Sequence, residues 1–265
     1  MAVPGVHDAD GLVVPDGASF RDLVVMFELL PRVYLGASSV LGVRGGSVLN
    51  TTVLELQAGA TLVSHNVMSE EPLTVAFRDI AVAASGDTAT LTSDSAELVV
   101  APWHDTTTLA WPRVDVATDG GFTLLAPRRA VVLRYGASWA DATRTVSVRT
   151  FNFTMDAGAS ISVPAYNVGA VSVECSGAVD VYGTISAAVI RVAAGELSVV
   201  GSVRADGFAR GSGSDHGILE YASNACSHGD VATSPMPAAA FGDPLYPVDI
   251  GCGFVPGAVL CVRIA

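Results

Sequence analysis

The sequence predicts an all-β fold, a parallel β-solenoid in which a single chain winds through successive similar turns. The first observation is a repeated unit: an alternating apolar run, a glycine, one or two small residues and another apolar residue. It recurs through residues 132–203, for example at 153–161 and 179–185. The second observation is spacing, because the glycines of the units recur at about 18–25 residues, within the range of solenoid repeats. The third is a composition rich in Val, Ala, Thr, Ser and Gly, which favours strands and tight turns over helices.

The repeated unit has a physical explanation in a solenoid. Apolar alternation places every second side chain on one face of a strand, so that this face is buried and the other meets solvent. The glycine permits a backbone bend that a residue with a Cβ resists. Units at residues 12–20, 33–38 and 54–62 extend the pattern towards the N-terminus. We therefore expect roughly ten to twelve rungs, where a rung is one turn of the chain.

The chain divides into three predicted regions. Residues 1–11 form a polar lead-in, residues 12–203 form the β-helix rungs, and residues 204–265 form Gly-rich loops and a final strand that caps the solenoid. The final strand is predicted from the alternation at residues 258–265. Solenoid ends need such covers because a bare strand edge presents unpaired backbone groups.

Residues 20–30, near the start of the rungs, allow two interpretations. Strands are favoured, because the repeated unit lies on both sides. The alternative is an N-terminal helical cap, since Ser19 could act as its N-cap and the apolar residues also follow helical spacing. These apolar residues are Phe20, Leu23, Val24, Phe27 and Leu30.

Residues 70–130 match the repeat least well and contain an aromatic and polar cluster around an outward loop at residues 102–105. Loops that leave a rigid scaffold often carry binding sites, so a ligand-binding loop is one interpretation of this cluster. The interpretation that we favour is that the tryptophans fill a hydrophobic gap where the rung is irregular. The cluster consists of Trp103, His104, Asp105, Trp111 and Arg113.

Charge and hydropathy narrow the classes of partner. The formal net charge is −12, and all 14 basic residues are arginine. An acidic surface repels phosphate backbones, so no nucleic-acid partner is expected. The most apolar window, residues 187–203, contains Arg191 and Glu196, whereas a membrane span needs about 20 largely uncharged residues. The first residues show no signal peptide.

The four cysteines form no Cys-x-x-Cys pair, which argues against zinc-ribbon and thioredoxin motifs. Cys175 lies in an alternating run and is expected in the core. Cys226 and Cys252 lie in two Gly-rich loops, where a disulfide remains an alternative.

No cofactor is expected, and calcium is the alternative at four loop aspartates, because carboxylate oxygens are hard ligands. Asx turns are the favoured role of these residues. His216 and His228 share the Gly-rich region without the spacing of a metal site. The aspartates are Asp206, Asp215, Asp243 and Asp249.

No catalytic constellation is predicted. Glycoside hydrolysis needs two carboxylates on neighbouring rungs, and the candidates Asp156, Glu174 and Asp180 form no recognisable acid pair. Asn50 and Asn152 begin glycosylation sequons, a pattern that occurs often by chance.

The last quarter of the chain shows an ordered set of motifs. They are Ala-Asp-Gly at 205–207, a Gly/Ser/His-rich loop at 211–217, a Phe-Gly-Asp-Pro…Gly-Cys-Gly segment at 241–253, and Val-Arg-Ile at 262–264. This order resembles a block in repetitive parallel β-helix surface proteins of protists and of giant DNA viruses that infect amoebae. The resemblance implies a right-handed parallel β-helix of pectin-lyase-like architecture and a structural or surface role. It carries over no catalytic residues.

Two functional hypotheses result. The first is a non-enzymatic structural or surface protein, located in a virion or at an extracellular surface, that associates with itself or with other structural proteins. The second is a carbohydrate-binding or polysaccharide-cleaving β-helix protein with glycans as partners, an analogy from fold alone. The second predicts a groove lined by Trp103, Trp111 or Tyr135 with carboxylates nearby.

Overall fold

The structure is a computed structural model in which every regular element is a β-strand within the residues that it describes. The described residues are 7–8, 11–23, 29–65, 71–83, 87–94, 96–103, 105–142, 144–164, 169–205, 249–250 and 259–264. The strands form two sheets, one of 15 strands and one of nine. No helix in this part of the chain is long and apolar enough to cross a membrane.

The larger sheet supplies two of the three sides of the solenoid. Its strands are β1 (His7–Asp8), β2 (Gly11–Val14), β4 (Leu29–Leu35), β6 (Val48–Leu56), β8 (Leu73–Val82), β10 (Leu98–Val100), β11 (Leu109–Trp111), β13 (Phe122–Leu133), β15 (Thr145–Met155), β17 (Ala170–Cys175), β18 (Ala178–Val181), β20 (Val189–Ala194), β21 (Glu196–Val199), β23 (Asp249–Ile250) and β24 (Val259–Ile264).

The smaller sheet supplies the third side, with one strand from each turn. Its strands are β3 (Ser19–Leu23), β5 (Val40–Arg44), β7 (Thr61–His65), β9 (Ala89–Ser93), β12 (Val114–Thr118), β14 (Ser138–Asp141), β16 (Ser160–Val163), β19 (Thr184–Ala187) and β22 (Ser202–Ala205). We number turns 1 to 9 by these strands, in this order.

Each turn passes through a first and a second segment in the larger sheet and then through one strand of the smaller sheet. Long strands such as β13 and β15 supply both segments, whereas turn 5 divides them between β10 and β11. The strands from one turn to the next are parallel. The parallel β-solenoid predicted from the sequence is therefore confirmed. About seven turns are complete among the described residues, and the first two are partial, against roughly ten to twelve rungs predicted for the whole chain.

The core is a single column of apolar side chains inside the three sides. Strand β15 shows the alternation that builds it, since Val146, Val148, Phe153 and Met155 are buried and their neighbours point outward. In register, Val131 pairs with Phe153 across adjacent turns. Equivalent inward positions therefore stack on one another, and each turn buries its apolar face against the next.

An aromatic column lies within this core. It spans turns 4 to 7 and includes an edge-on pair, Trp111 and Trp139, with ring centroids 5.2 Å apart. Phe122 lies 5.1 Å and Phe153 6.0 Å from Trp139, and Phe77 lies 6.4 Å from Trp111. Such edge-on and offset ring pairs add stability beyond their buried area.

Two different constraints require glycine at the corners. Gly158 has φ +82°, a left-handed conformation in which a Cβ is strained. Gly183 instead lies so close to the carbonyl oxygen of Ala159 that a Cβ would collide with it. The glycine of the repeated unit thus serves the turn in one case and the close stacking of turns in the other.

The two ends of the solenoid are partly covered. Strand β1 adds antiparallel to β2, and β24 adds parallel to β20 with Val189 opposite Val259. The alternation at residues 258–265 therefore predicted a strand correctly. Between residues 20 and 30, β3 and β4 confirm strands on both sides of residues 24–28, which lie outside the described part of the chain. The helical alternative gains no support from the residues described there.

Candidate functional site

The predicted ligand loop leaves the solenoid at the corner between the two segments of turn 5. Its described residues are 101–103 and 105–108, between β10 and β11. In turns 4, 6 and 7 the chain runs through the same corner within one strand, β8, β13 or β15. The loop is therefore an insertion at a corner that the turns before and after it pass within a single strand.

Trp103 holds this loop back against earlier turns. Its backbone N–H donates to the carbonyl of Phe77 in turn 4 at 2.7 Å, and its indole Nε1–H donates to Oδ1 of Asn50 in turn 3 at 3.0 Å. Asn50 is in register with Ala76 of turn 4, so the indole of Trp103 must pass over this small residue to reach Asn50. The half-buried ring is thus tied to the outer face rather than projecting into solvent.

Asp105 closes the end of the loop. Its Oδ1 accepts a hydrogen bond from the backbone N–H of Thr107 at 3.0 Å, which is the geometry of an Asx turn. The Thr107 N–H lowers the pKa of the Asp105 carboxyl. Partial desolvation raises this pKa, whereas the Thr107 hydroxyl and the positive charge of Arg129 lower it further.

Arg129 is the central residue of this corner, and its role is not among those that the sequence predicts. Its side chain is only 1% exposed. The guanidinium donates to the carbonyl of Arg78 at 2.7 Å, and to the carbonyl and the hydroxyl of Thr107 at 3.1 Å and 3.2 Å. It occupies the irregularity of β13 between Ala126 and Ala130. The only sequence signal was a Pro-Arg-Arg interruption in an apolar strand.

The remaining predicted residues of the cluster do not converge on a ligand site. Trp111 is fully buried in the aromatic column, and its Nε1–H donates to the carbonyl of Val114 at 3.0 Å. Strand alternation turns it inward, which agrees with the favoured interpretation that the tryptophans fill a hydrophobic gap. Arg113 is exposed at another corner, alongside Gly136. His104 lies outside the described residues.

A buried polar ladder runs along the smaller sheet through turns 3 to 6. The four side chains are in register with one another and almost fully buried: Ser64, Ser93, Thr118 and Asp141. The Thr118 hydroxyl donates to Asp141 Oδ2 at 2.8 Å, and the backbone N–H of Gly121 donates to the same oxygen at 2.7 Å. The Arg144 N–H donates to Asp141 Oδ1. These donors satisfy a charge that would otherwise be costly to bury.

The carboxylates considered for hydrolysis have separate partners. Asp156 forms an ion pair with Arg134 at 3.6 Å, and Glu174 with Arg149 at 2.8 Å. Asp180 lies on β18, in register with Thr154. Within the described part of the chain, no group of three His, Cys, Asp or Glu side chains is placed to hold a metal ion.

The predicted loop chemistry near the C-terminus falls outside the described residues. This holds for Asp206, Asp215, Asp243, His216, His228, Cys226 and Cys252, and for the side chain of Asp249. The calcium and disulfide alternatives therefore stay predictions.

Cys175 and the sequon asparagines have structural roles. The thiol of Cys175 is buried 3.1 Å from the Thr150 hydroxyl, and burial raises its pKa. Asn152 Oδ1 accepts the N–H of Ala178 at 2.8 Å, just as Asn50 accepts the indole of Trp103. Both sequons lie within strands, so their amides are engaged in cross-turn contacts.

The chain matches no protein-family model, no curated protein and no solved structure.

Proposed function

We propose that this chain is a non-enzymatic structural or surface protein whose β-solenoid acts as a stiff spacer or attachment element. The observation that carries the proposal is the parallel pairing of the smaller sheet through all nine turns, with one register shift, between β3 and β5. At about 4.8 Å per turn, nine turns form a rod roughly 40 Å long. Such a rod positions whatever lies at its two ends.

Contacts between turns stiffen the rod inside and outside. Inside, the aromatic column and the polar ladder each link four consecutive turns. Outside, Arg32 pairs with Glu55 at 2.6 Å and Arg149 with Glu174 at 2.8 Å, each pair between neighbouring turns. Exposed ion pairs contribute modestly to stability. We therefore attribute most of the cohesion between turns to the buried core.

The resemblance in the last quarter of the sequence supports the location that we propose, a virion or an extracellular surface. The proposed partners are further copies of this chain or other structural proteins. Sedimentation velocity and electron microscopy test the scaffold role, and immunogold labelling of source particles or cells tests the location. We expect an elongated particle and surface label, whereas label confined to the cell interior would contradict the proposed location.

A polysaccharide-cleaving activity is the second candidate and has weaker support. Of the three aromatic residues predicted to line a groove, Trp111 is interior and Trp103 is tied to Asn50, which leaves Tyr135 exposed. Incubation with a polysaccharide panel and a reducing-end assay tests cleavage. If the wild type releases reducing ends and the Asp156→Asn or Glu174→Gln variant does not, the structural proposal is wrong and the chain cleaves polysaccharides.

A further inference from the structure

A row of exposed side chains follows the corner between the second segment and the smaller sheet. Tyr135 in turn 6 is 73% exposed and Tyr182 in turn 8 is 46% exposed. Equivalent backbone bonds stack this corner: Asp156 N–H donates to Leu133 O, and Tyr182 N–H donates to Met155 O. We name the row the tyrosine edge and define it as Arg113, Arg134, Tyr135, Asp156 and Tyr182.

Tyr135 is held close to the backbone of the next turn. A Cβ at Gly158 would lie 2.5 Å from Cε2 and 2.7 Å from Cδ2 of the Tyr135 ring. One side of the ring therefore rests on a residue that has no side chain, and the rest of the ring meets solvent. An aromatic ring supported in this way loses little conformational freedom when a ligand stacks on it.

Charged hydrogen-bonding groups lie beside the ring. Arg134 forms an ion pair with Asp156, the residue two positions before Gly158. Arg113 extends along Gly136, where a Cβ would lie 3.1 Å from its Nε. The edge thus combines aromatic surface with donors and an acceptor of both charge signs.

We propose that the tyrosine edge binds an extended neutral glycan of β-linked sugars, a function separate from the scaffold role. The C–H face of a pyranose ring stacks on an aromatic ring, and guanidinium and carboxylate groups bind its hydroxyls. Tyr135 and Tyr182 arise two turns apart, about 10 Å along the axis. This is comparable to the length of two linked sugars.

The charges favour a neutral glycan over an acidic one. Asp156 offsets Arg134 within the edge, and the whole chain carries a formal net charge of −12. This field repels polyanions. The mixed polar groups also distinguish the edge from a purely apolar contact surface, such as a self-association site.

The test is isothermal titration calorimetry of the full chain with cellohexaose, chitohexaose, xylohexaose and mannohexaose, beside pull-down on insoluble cellulose and chitin. We expect binding to at least one of these glycans, and a loss of affinity of tenfold or more in Tyr135→Ala and in Tyr182→Ala. Phe151→Ala is the matched control, because Phe151 is an exposed aromatic residue at a different corner, and it should bind like the wild type.

Two results would overturn the proposal. One is the absence of binding by the wild type to all six probes. The other is equal affinity in the wild type and both tyrosine variants, with circular dichroism showing that the variants are folded. Light scattering is run in parallel, because a tyrosine variant that changes only the oligomeric state would identify the edge as a self-association surface instead. A failure of the glycan proposal leaves the scaffold role untouched, because sedimentation and immunogold labelling test that role separately.

Discussion

Arg129 is a buried cation that bonds mainly to backbone carbonyls. No carboxylate within the described residues forms a salt bridge with it, and its donors serve Arg78 and Thr107 instead. These three bonds join the inserted loop, at Thr107, to strand β8 of turn 4, at Arg78, through the buried guanidinium.

We expect Arg129→Met to lower the free energy of unfolding by about 1–3 kcal/mol, because it removes three part-buried hydrogen bonds at similar side-chain length. Urea denaturation followed by circular dichroism measures the loss. Arg128→Met is the matched control, since Arg128 is its exposed neighbour and should change stability by less than about 0.5 kcal/mol. Equal effects of the two variants would contradict the role assigned to Arg129.

Asp105 is expected to show a pH dependence of defined sign. Its pKa in the folded chain lies below the ordinary value of 3.8, mainly because of the Thr107 N–H. Its contribution to stability is therefore complete above pH 3.8 and is lost as the pH falls through the folded pKa. NMR titration of the Asp105 carboxyl should give a midpoint below 3.8, returning to that value in urea. A midpoint at or above it in the folded protein would disprove the assignment.

At the scale of elements, the polar ladder of the smaller sheet contrasts a satisfied carboxylate with an unsatisfied hydroxyl. Asp141 accepts bonds from Thr118 and from the Gly121 N–H, whereas the buried Oγ of Ser64 has no hydrogen-bond partner among the residues that the structure describes. Position in the same ladder therefore does not imply the same contribution to stability.

We expect Asp141→Ala to cost about 2–4 kcal/mol, because it leaves buried donors without an acceptor. Ser64→Ala, three turns earlier in the ladder, should be neutral or stabilise the protein by up to about 1 kcal/mol, because it removes an unsatisfied buried hydroxyl. Thermal and urea unfolding of both variants give the comparison. A larger loss in Ser64→Ala than in Asp141→Ala would refute this account of the ladder.

The sequence predicts the regular elements well because their signals are local. Alternation and corner glycines define strands such as β15 and β16 directly. Turn 5 is harder, because a three-residue strand, Leu109–Trp111, is too short to show a period, and so the sequence leaves Trp111 open between a ligand loop and a hydrophobic gap. Arg129 was missed because its partners are mostly backbone carbonyls, which have no sequence signature. Aligning the turns would have revealed the polar ladder, since its members occupy equivalent positions.

At the scale of the whole molecule, stability depends on contacts between neighbouring turns. In a solenoid each turn contacts mainly the next, and here the bonds of Trp103 to Asn50 and of Arg129 to Arg78 reach two turns away, so damage in the middle should stay within a few turns. The aromatic column concentrates large buried side chains in turns 4 to 7, with Trp139 touching three other members.

We expect Trp139→Ala to lower stability by about 3–5 kcal/mol. Hydrogen exchange should show lost protection in turns 5 to 7 and retained protection in turns 2 and 3. Tyr135→Ala, four residues earlier but exposed, is the control and should preserve the protection pattern of the wild type. Uniform loss of protection along the chain in Trp139→Ala would show that the solenoid opens as one unit.

The sequential order of turns also determines how the protein responds to a pulling force. Hydrogen bonds between parallel turns run along the rod axis. Tension applied at the two ends of the rod therefore breaks the bonds of the terminal turn first and those of the next turn afterwards. From Leu133 to its register partner Met155 the chain advances 155 − 133 = 22 residues. Peeling this turn releases about 75 Å of chain at roughly 3.4 Å per residue. Other turns are shorter or longer, from 196 − 178 = 18 residues between Ala178 and Glu196 to 90 − 61 = 29 residues between Thr61 and Thr90. The rod therefore yields turn by turn, in steps of unequal length, and absorbs mechanical work gradually.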